Sequence, residues 1–335
     1  MSKPGAKPMR RLLCEILGPP SALRLVEGPT PEPRPDEACV EVAYAALNFF
    51  DTLMIEGKYQ VRPPLPFSPA GEFSGRVSAL GAGVAGLSVG QRVMGFCGHG
   101  AAAETIVVPA AALIPLPDAL GDDRAAGLCV AYGTTMHALK QRAKIQRGET
   151  LAVLGASGGV GLAAVELGAA LGARVIACAS SDEKLAFARR MGAAETVNTR
   201  AQDLRVELKR LGGAKGIDVV YDPVGGALTE PALRSLGWGG RLLVIGFASG
   251  EIPKPPLNLA LLKGCDILGV YWGDFALRES ELNRANLAEI VAMAARGALS
   301  AHVHKAFALE DFAEAFGVIS RREALGKVLL RIGAN

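Results

Sequence analysis

The chain has 335 residues, half of them hydrophobic and 21% charged, with a formal net charge of +3. Such a balance belongs to a folded protein long enough for two domains and excludes a disordered chain. So small a charge leaves no footprint for nucleic acid or an anionic membrane surface, and no apolar run approaches the roughly 18 residues of a spanning helix.

The opening segment, MSKPGAKPMR, is basic but precedes no apolar stretch, so it predicts a tail and not a signal peptide. Short β-rich runs follow at 11–17, 38–48, 71–81 and 103–110, cut by turn-rich pieces such as VRPPLPFSPAG. Several strands at this spacing predict an all-β unit that closes or stacks on itself. The six cysteines (Cys14, Cys39, Cys97, Cys129, Cys178, Cys265) are scattered and form no CxxC, which predicts reduced, mostly buried thiols in a cytoplasmic protein. Cys97 and His99 stand close in GFCGHG, but two ligands without partners do not make a tetrahedral site, so no metal is expected there.

Near residue 122 the pattern changes. Residues 122–143 have helical spacing, and GETLAVLGASGGVGLAAVELGAALGARVIACAS then runs strand, glycine turn, helix, strand. Helices are predicted at 181–193, 201–213 and 227–240, alternating with strands at 195–198, 216–224 and 241–248. This alternation implies right-handed crossovers and a doubly wound parallel sheet, an α/β domain beside the β-rich one. A strand at 265–272 completes six; a helix over Asn283–Ala295 and a final strand at 326–332 are then expected to rejoin the first unit. The expected domains are therefore 1–125 with 268–335, and 126–267.

The turn LGASGGVG admits two readings. Gly155-x-Ser157-x-Gly159 matches the serine elbow of an α/β-hydrolase, with Asp222 and His302 or His304 following in order. Ala156-x-Gly158-x-x-Gly161 is one residue from the pattern that cradles a dinucleotide pyrophosphate. An elbow gives no reason for Gly161 and needs earlier strands of the same sheet, so Ala156, Ser157, Gly158, Gly159, Val160 and Gly161 are read as a cofactor loop. The next strand ends at Ala179 with no carboxylate for a ribose hydroxyl. Ser180, Ser181, Lys184 and Arg200 there favour a 2′-phosphate, hence NADPH over NADH. Asp222, Val224, Gly246 and Phe247 follow later strands at their carboxyl ends, where ligands sit in open α/β folds.

The stretches ALNFFDTLMIEGKYQ, LPFSPAGEFSGRV, GASGGVGLAAVELGAALGARVIACASSDEKL, DVVYDPVGG and GGRLLVIGFASG carry a resemblance along essentially the whole chain. It is similar to the zinc-free, zeta-crystallin-like quinone oxidoreductases of the medium-chain dehydrogenase/reductase superfamily. The resemblance implies a GroES-like β-rich catalytic domain, a Rossmann domain, an active site in the cleft between them, and NADPH as hydride donor. It implies Asn48, Asp51 and Tyr59 in the substrate site and Thr134 near the carboxamide; Asp51 in NFFDT could equally cap a helix. It also implies a homodimer, or a tetramer of dimers, paired through the edge strand near 265–271. Zinc-dependent relatives have Cys where this chain has Asn48 and His where it has Gly71, and their four-cysteine lobe is missing here. Leu53 and Thr199 stand where family members often carry aromatics.

Without a Lewis acid a protein does not readily polarise an alcohol, whereas a quinone or a carbonyl-conjugated alkene takes hydride directly. The expected function is NADPH-dependent reduction of a small-molecule quinone. The alternative is reduction of the C=C bond of enones, enals or enoyl thioesters, and a third reading is a non-catalytic, crystallin-like binding protein.

Overall fold

The computed structural model describes residues 8–333, so the first seven residues of the expected tail lie outside the described residues, and Pro8–Arg10 open the first strand. The chain divides into two compact units, Met1–Val130 with Val291–Arg296 and Ala301–Asn335, and Ala131–Ile290 with Gly297–Ser300.

The first unit contains β1 (Pro8–Leu13), β2 (Arg24–Pro29), β3 (Glu37–Leu47), α1 (Phe49–Ile55), β4 (Glu72–Leu80), β5 (Arg92–Phe96), β6 (Thr105–Pro109), β7 (Leu113–Pro115) and α2 (Asp122–Ala126). β1 and β2 form an antiparallel pair, and β3 is the hub of a seven-stranded sheet. Its first half pairs with both β4 and β6, with register shifts at Cys39/Val40 and Val42/Tyr44 along β4. Such bulges bend a strand and let one sheet wrap its own core. Leu12, Val40, Phe73, Val93, Leu113 and Leu330 fill that core.

Helix α3 (Leu128–Met136) leads into the second unit: β8 (Thr150–Leu154), α4 (Gly159–Ala170), β9 (Arg174–Ala179), α5 (Asp182–Arg190), β10 (Glu195–Asn198), α6 (Leu204–Gly212), β11 (Ile217–Asp222), α7 (Thr229–Ser235), β12 (Leu236–Val244), α8 (Asn258–Lys263), β13 (Asp266–Gly269), α9 (Trp272–Arg278) and α10 (Ser280–Ala295). The chain returns through β14 (Val303–Ala308), α11 (Phe312–Ser320) and β15 (Lys327–Arg331), which pairs with β3. In the second unit six parallel strands run in the order β10-β9-β8-β11-β12-β13, and the order reverses between β8 and β11. Ligands of open parallel sheets bind beyond the carboxyl ends of the strands at that switch.

Several boundaries differ from the sequence reading, each for a local reason. The helix expected over 122–143 comes as α2, α3 and a π-helical turn at His137–Arg142. It breaks at Gly127, where a Cβ would lie 2.8 Å from the Lys327 Cγ. The helix expected over 227–240 stops at Ser235, because Leu236–Gly240 already belong to β12. A Cβ at Gly237 would sit 2.1 Å from the Lys215 carbonyl, so the glycine run lies flat against the neighbouring backbone. The second unit continues to Ile290, past the expected 267. There Phe275 stacks on His137 at 3.8 Å, the Trp272 indole donates to Asn283 at 2.9 Å, and Lys140 pairs with Glu289 at 2.6 Å.

Candidate functional site

At the switch point the turn after β8 is built by its glycines. Gly155 adopts φ +60°, a conformation that suits glycine. At Gly161 a Cβ would meet the Gly155 carbonyl oxygen at 2.1 Å, so only glycine lets α4 pack this close to the strand. Gly158 is different. Its φ is −79°, and a Cβ there would find nothing nearer than 3.8 Å. Neither backbone nor packing requires glycine at 158; close approach by something outside the chain would. Gly158 is also the N-cap of α4 and supplies no side-chain cap. The first-turn amides of Gly159, Val160 and Gly161 are the helix donors left without intrahelical acceptors, the arrangement that binds anions. Ala156 and Ser157 are buried beneath this surface, Ser157 only 5% exposed.

Asp222 ends β11, but its carboxylate serves its own loop. One oxygen accepts the Val224 and Gly225 amides at 2.9 and 2.8 Å, and the other accepts the Thr229 hydroxyl at 2.6 Å. With a buried Ser157 and a committed Asp222, the hydrolase reading loses its nucleophile and its orienting acid. The Ala248 and Ser249 amides donate to the Pro223 and Val224 carbonyls, stitching the Gly246–Phe247 loop to the one after β11. Thr134 is buried in α3.

At the end of β9, Ser181 caps α5 by accepting the Lys184 amide at 3.4 Å. Asn198 holds the nearby Asp182 carboxylate at 2.8 Å and accepts the Arg200 amide at 3.1 Å. Ser180, Ser181 and Lys184 are half-buried and Arg200 is exposed.

In the first unit Asn48 is the N-cap of α1. Its backbone N–H donates to Asp51 Oδ2 at 2.7 Å, so Asp51 does cap the helix, as its position allowed. Asp51 is fully buried, and Oδ1 makes no hydrogen bond of regular geometry, although the Ala70 amide helps to stabilise the charge. Burial raises its carboxyl to about 7, against the pull of the Asn48 amide and of Lys327. Tyr59 stacks on Phe50, centroids 5.4 Å apart.

Two residues absent from the sequence reading complete this cluster. Lys327, buried in β15, donates to Glu72 Oε1 at 2.7 Å, Asn48 Oδ1 at 2.6 Å and the Leu47 carbonyl at 3.2 Å. Glu72, fully buried at the start of β4, also accepts Asn48 Nδ2 at 2.9 Å and the Val130 amide at 2.8 Å. A lysine directly abutting the apolar run VLL in KVLLR was the available signal. Cys97 donates to the Gly71 carbonyl at 3.4 Å, and burial pushes its thiol up to about 12. His99 packs edge-on against Phe67.

Family models match both parts: an alcohol dehydrogenase GroES-like domain over residues 34–118 and a zinc-binding dehydrogenase domain over 159–291. Across 325 residues the chain is 38% identical to quinone oxidoreductase-like protein 2 of Bos taurus, covering 96% of this chain and 92% of that one. The chain belongs to the quinone oxidoreductase family. It is 32% identical to a Pseudomonas aeruginosa quinone oxidoreductase, covering 96% of this chain and 99% of that one. The crystal structure of Escherichia coli quinone oxidoreductase complexed with NADPH superposes with a TM-score of 0.86 at 28% identity, covering 96% and 99% of the two chains. The fold is thus a GroES-like domain with a Rossmann-type parallel-sheet domain, as in the medium-chain dehydrogenase/reductase superfamily, and the protein is an oxidoreductase of that group.

The zinc in one model's description does not fit this quinone oxidoreductase-family chain. Among the described residues no three His, Cys, Asp or Glu side chains converge to hold a metal ion. The Asn48 and Glu72 oxygens that approach each other already share the Lys327 ammonium. Among the described residues no helix is long and apolar enough to cross a membrane.

Proposed function

We propose that the protein uses NADPH to reduce quinones and that it does so without a metal. The observation that carries the reading is Gly158, a glycine with ordinary φ and free space beside it, opening a helix whose first amides have no side-chain cap. Those amides of Gly159, Val160 and Gly161 would hold the pyrophosphate. Ser180, Ser181, Lys184 and Arg200 would surround the 2′-phosphate. Thr134, Val224, Gly246 and Phe247 would flank the rest of the cofactor, with Ala156, Ser157 and Asp222 shaping the loops from below. The NADPH complex of the Escherichia coli relative supports this choice of cofactor.

When bound, NADPH supplies a hydride, and with one proton a quinone becomes a hydroquinone. Tyr59, already stacked on Phe50, offers a flat ring to a flat acceptor. Asn48 offers the acceptor oxygen an N–H, where charge develops. Asp51, titrating near neutrality, keeps a protonated population and so stores a proton against the backbone N–H of the same Asn48. None of these roles needs a Lewis acid, because the acceptor delocalises its own charge. We further propose a homodimer paired through β13, whose outer edge carries no partner strand among the described residues. The six free cysteines agree with a reducing, cytoplasmic setting.

Calorimetry tests the cofactor reading. NADPH should bind at least about tenfold more tightly than NADH, a difference of about 1.4 kcal/mol. Equal affinities, or no heat with either, would overturn it.

A further inference from the structure

The ion pair between Glu72 and Lys327 is fully committed. The Lys327 ammonium has three hydrogens, and its three acceptors are Glu72 Oε1, Asn48 Oδ1 and the Leu47 carbonyl. Both carboxylate oxygens of Glu72 are engaged as well, one by Lys327 and Asn48 Nδ2, the other by the Val130 amide. The ammonium has no donor to spare for a substrate, and the Glu72 carboxylate is fully buried. The lysine stem is fixed too: a Cβ at Gly127 would meet its Cγ at 2.8 Å and its Cε at 3.0 Å, so that glycine is the slot through which it passes.

Stability alone is a poor reason for such a pair, because well-packed apolar residues often replace buried ion pairs without loss. What the pair does locally is grip Asn48 at both ends of its amide, carboxylate against nitrogen and ammonium against oxygen. A side-chain amide is nearly symmetric in shape but not in polarity. Turning it by half a revolution would set NH2 against ammonium and oxygen against carboxylate, both repulsive in a poorly solvated site.

We propose that Glu72 and Lys327 are positioning residues that hold the Asn48 amide in one orientation, so that a single uncommitted Nδ2–H is the donor presented to the hydride acceptor. The inference rests on the reading of Asn48 as a substrate contact. It adds that the polarity of this contact is set by a pair that never touches substrate.

The test compares wild type with Lys327→Met and with the neutral pair Glu72→Gln/Lys327→Met, because Lys327→Met alone strands a buried carboxylate and can fail to fold. Asn48 side-chain amide signals, assigned by their loss in Asn48→Ala, should show two well-separated protons in wild type, one shifted by the Glu72 carboxylate. In the neutral pair that separation should collapse. Quinone reduction should fall at least about tenfold in kcat, while NADPH affinity stays within about twofold. In the Asn48→Ala background the neutral pair should cost nothing further. Unchanged Asn48 signals in the neutral pair, or an equal loss of rate with Asn48 absent, would overturn the proposal. If wild type reduces no quinone, the functional reading fails by itself, and the amide spectra still decide whether the pair orients Asn48.

Discussion

Gly158 and Gly161 lie three residues apart and have opposite reasons to be glycine. Gly161 answers to the fold, since a methyl group would press on the Gly155 carbonyl; Gly161→Ala should destabilise by about 1–3 kcal/mol in urea unfolding. Gly158 has room for a methyl inside the protein, so Gly158→Ala should leave stability within about 0.5 kcal/mol. It should nevertheless weaken NADPH binding about tenfold by calorimetry, or about 1.4 kcal/mol. The loop pattern gave both positions, but it could not distinguish them, because the distinction lies in what surrounds each Cα. Asp51 permits a second test at this scale. Its folded carboxyl is raised, chiefly by burial, from 3.8 to about 7, so the folded state binds the extra proton between those values. That contribution is fully present below about pH 4 and disappears as pH rises through 7, by up to about 4 kcal/mol. Stability of wild type relative to Asp51→Asn should therefore fall between about pH 4 and pH 8; a constant difference would contradict the assigned burial. Asn48 and Asp51 were legible in NFFDT. Glu72 and Lys327 were not, because they lie 255 positions apart and meet only once β15 pairs with β3.

The alternation of β8 through β12 with their helices was readable because β8, β9 and β11 are largely apolar runs and helices such as α6 have their own punctuation. Asp203, for example, caps α6 by accepting the Val206 amide at 2.9 Å. Legibility failed where glycine lets backbone lie against backbone. Leu236–Gly240 looked like the end of a helix because the Lys215 carbonyl that flattens it comes from elsewhere in the chain. β2, β5, β7, α8, α9 and α11 were missed because they are short, and some bury too little to set a pattern: β2 has no buried residue and α8 only Leu259. Among loops, the one after β11 has the clearest local cause, namely the three hydrogen bonds accepted by Asp222. Asp222→Ala leaves two amides and a hydroxyl without their acceptor and should cost about 3–5 kcal/mol, less than the sum of three bonds to a charged group at about 1.5–3 kcal/mol each, because bonds within one network are not additive. Chemical denaturation would measure this. A loss below about 1 kcal/mol would mean that the loop is held by its stitching to the Gly246–Phe247 segment instead.

At the scale of the whole molecule, β10 and β13 are the two edges of the six-stranded sheet among the described residues, and β13 is the more apolar of them. β13 pairs only with β12, and Ile267 on it is exposed, with Trp238 (83% exposed), Leu261 and Leu262 also exposed on the nearby β12 and α8. An unpaired edge of this kind is a liability unless it is covered. Light scattering should give a dimer for wild type and a monomer for Ile267→Lys; an unchanged mass in that variant would place any interface elsewhere. The expectation of two units, β-rich and parallel α/β, followed from the sequence, whereas the reach of the second unit to Ile290 depended on aromatic and polar contacts of α9 and α10 that no periodicity announces. The most direct measurement mixes chelator-treated protein with NADPH and benzoquinone and follows the nicotinamide absorbance. The account predicts multiple turnovers at an undiminished rate, one NADPH consumed for each hydroquinone formed. Turnover restored only by added zinc, or reduction of alkenals and enoyl thioesters with none of any quinone, would contradict it.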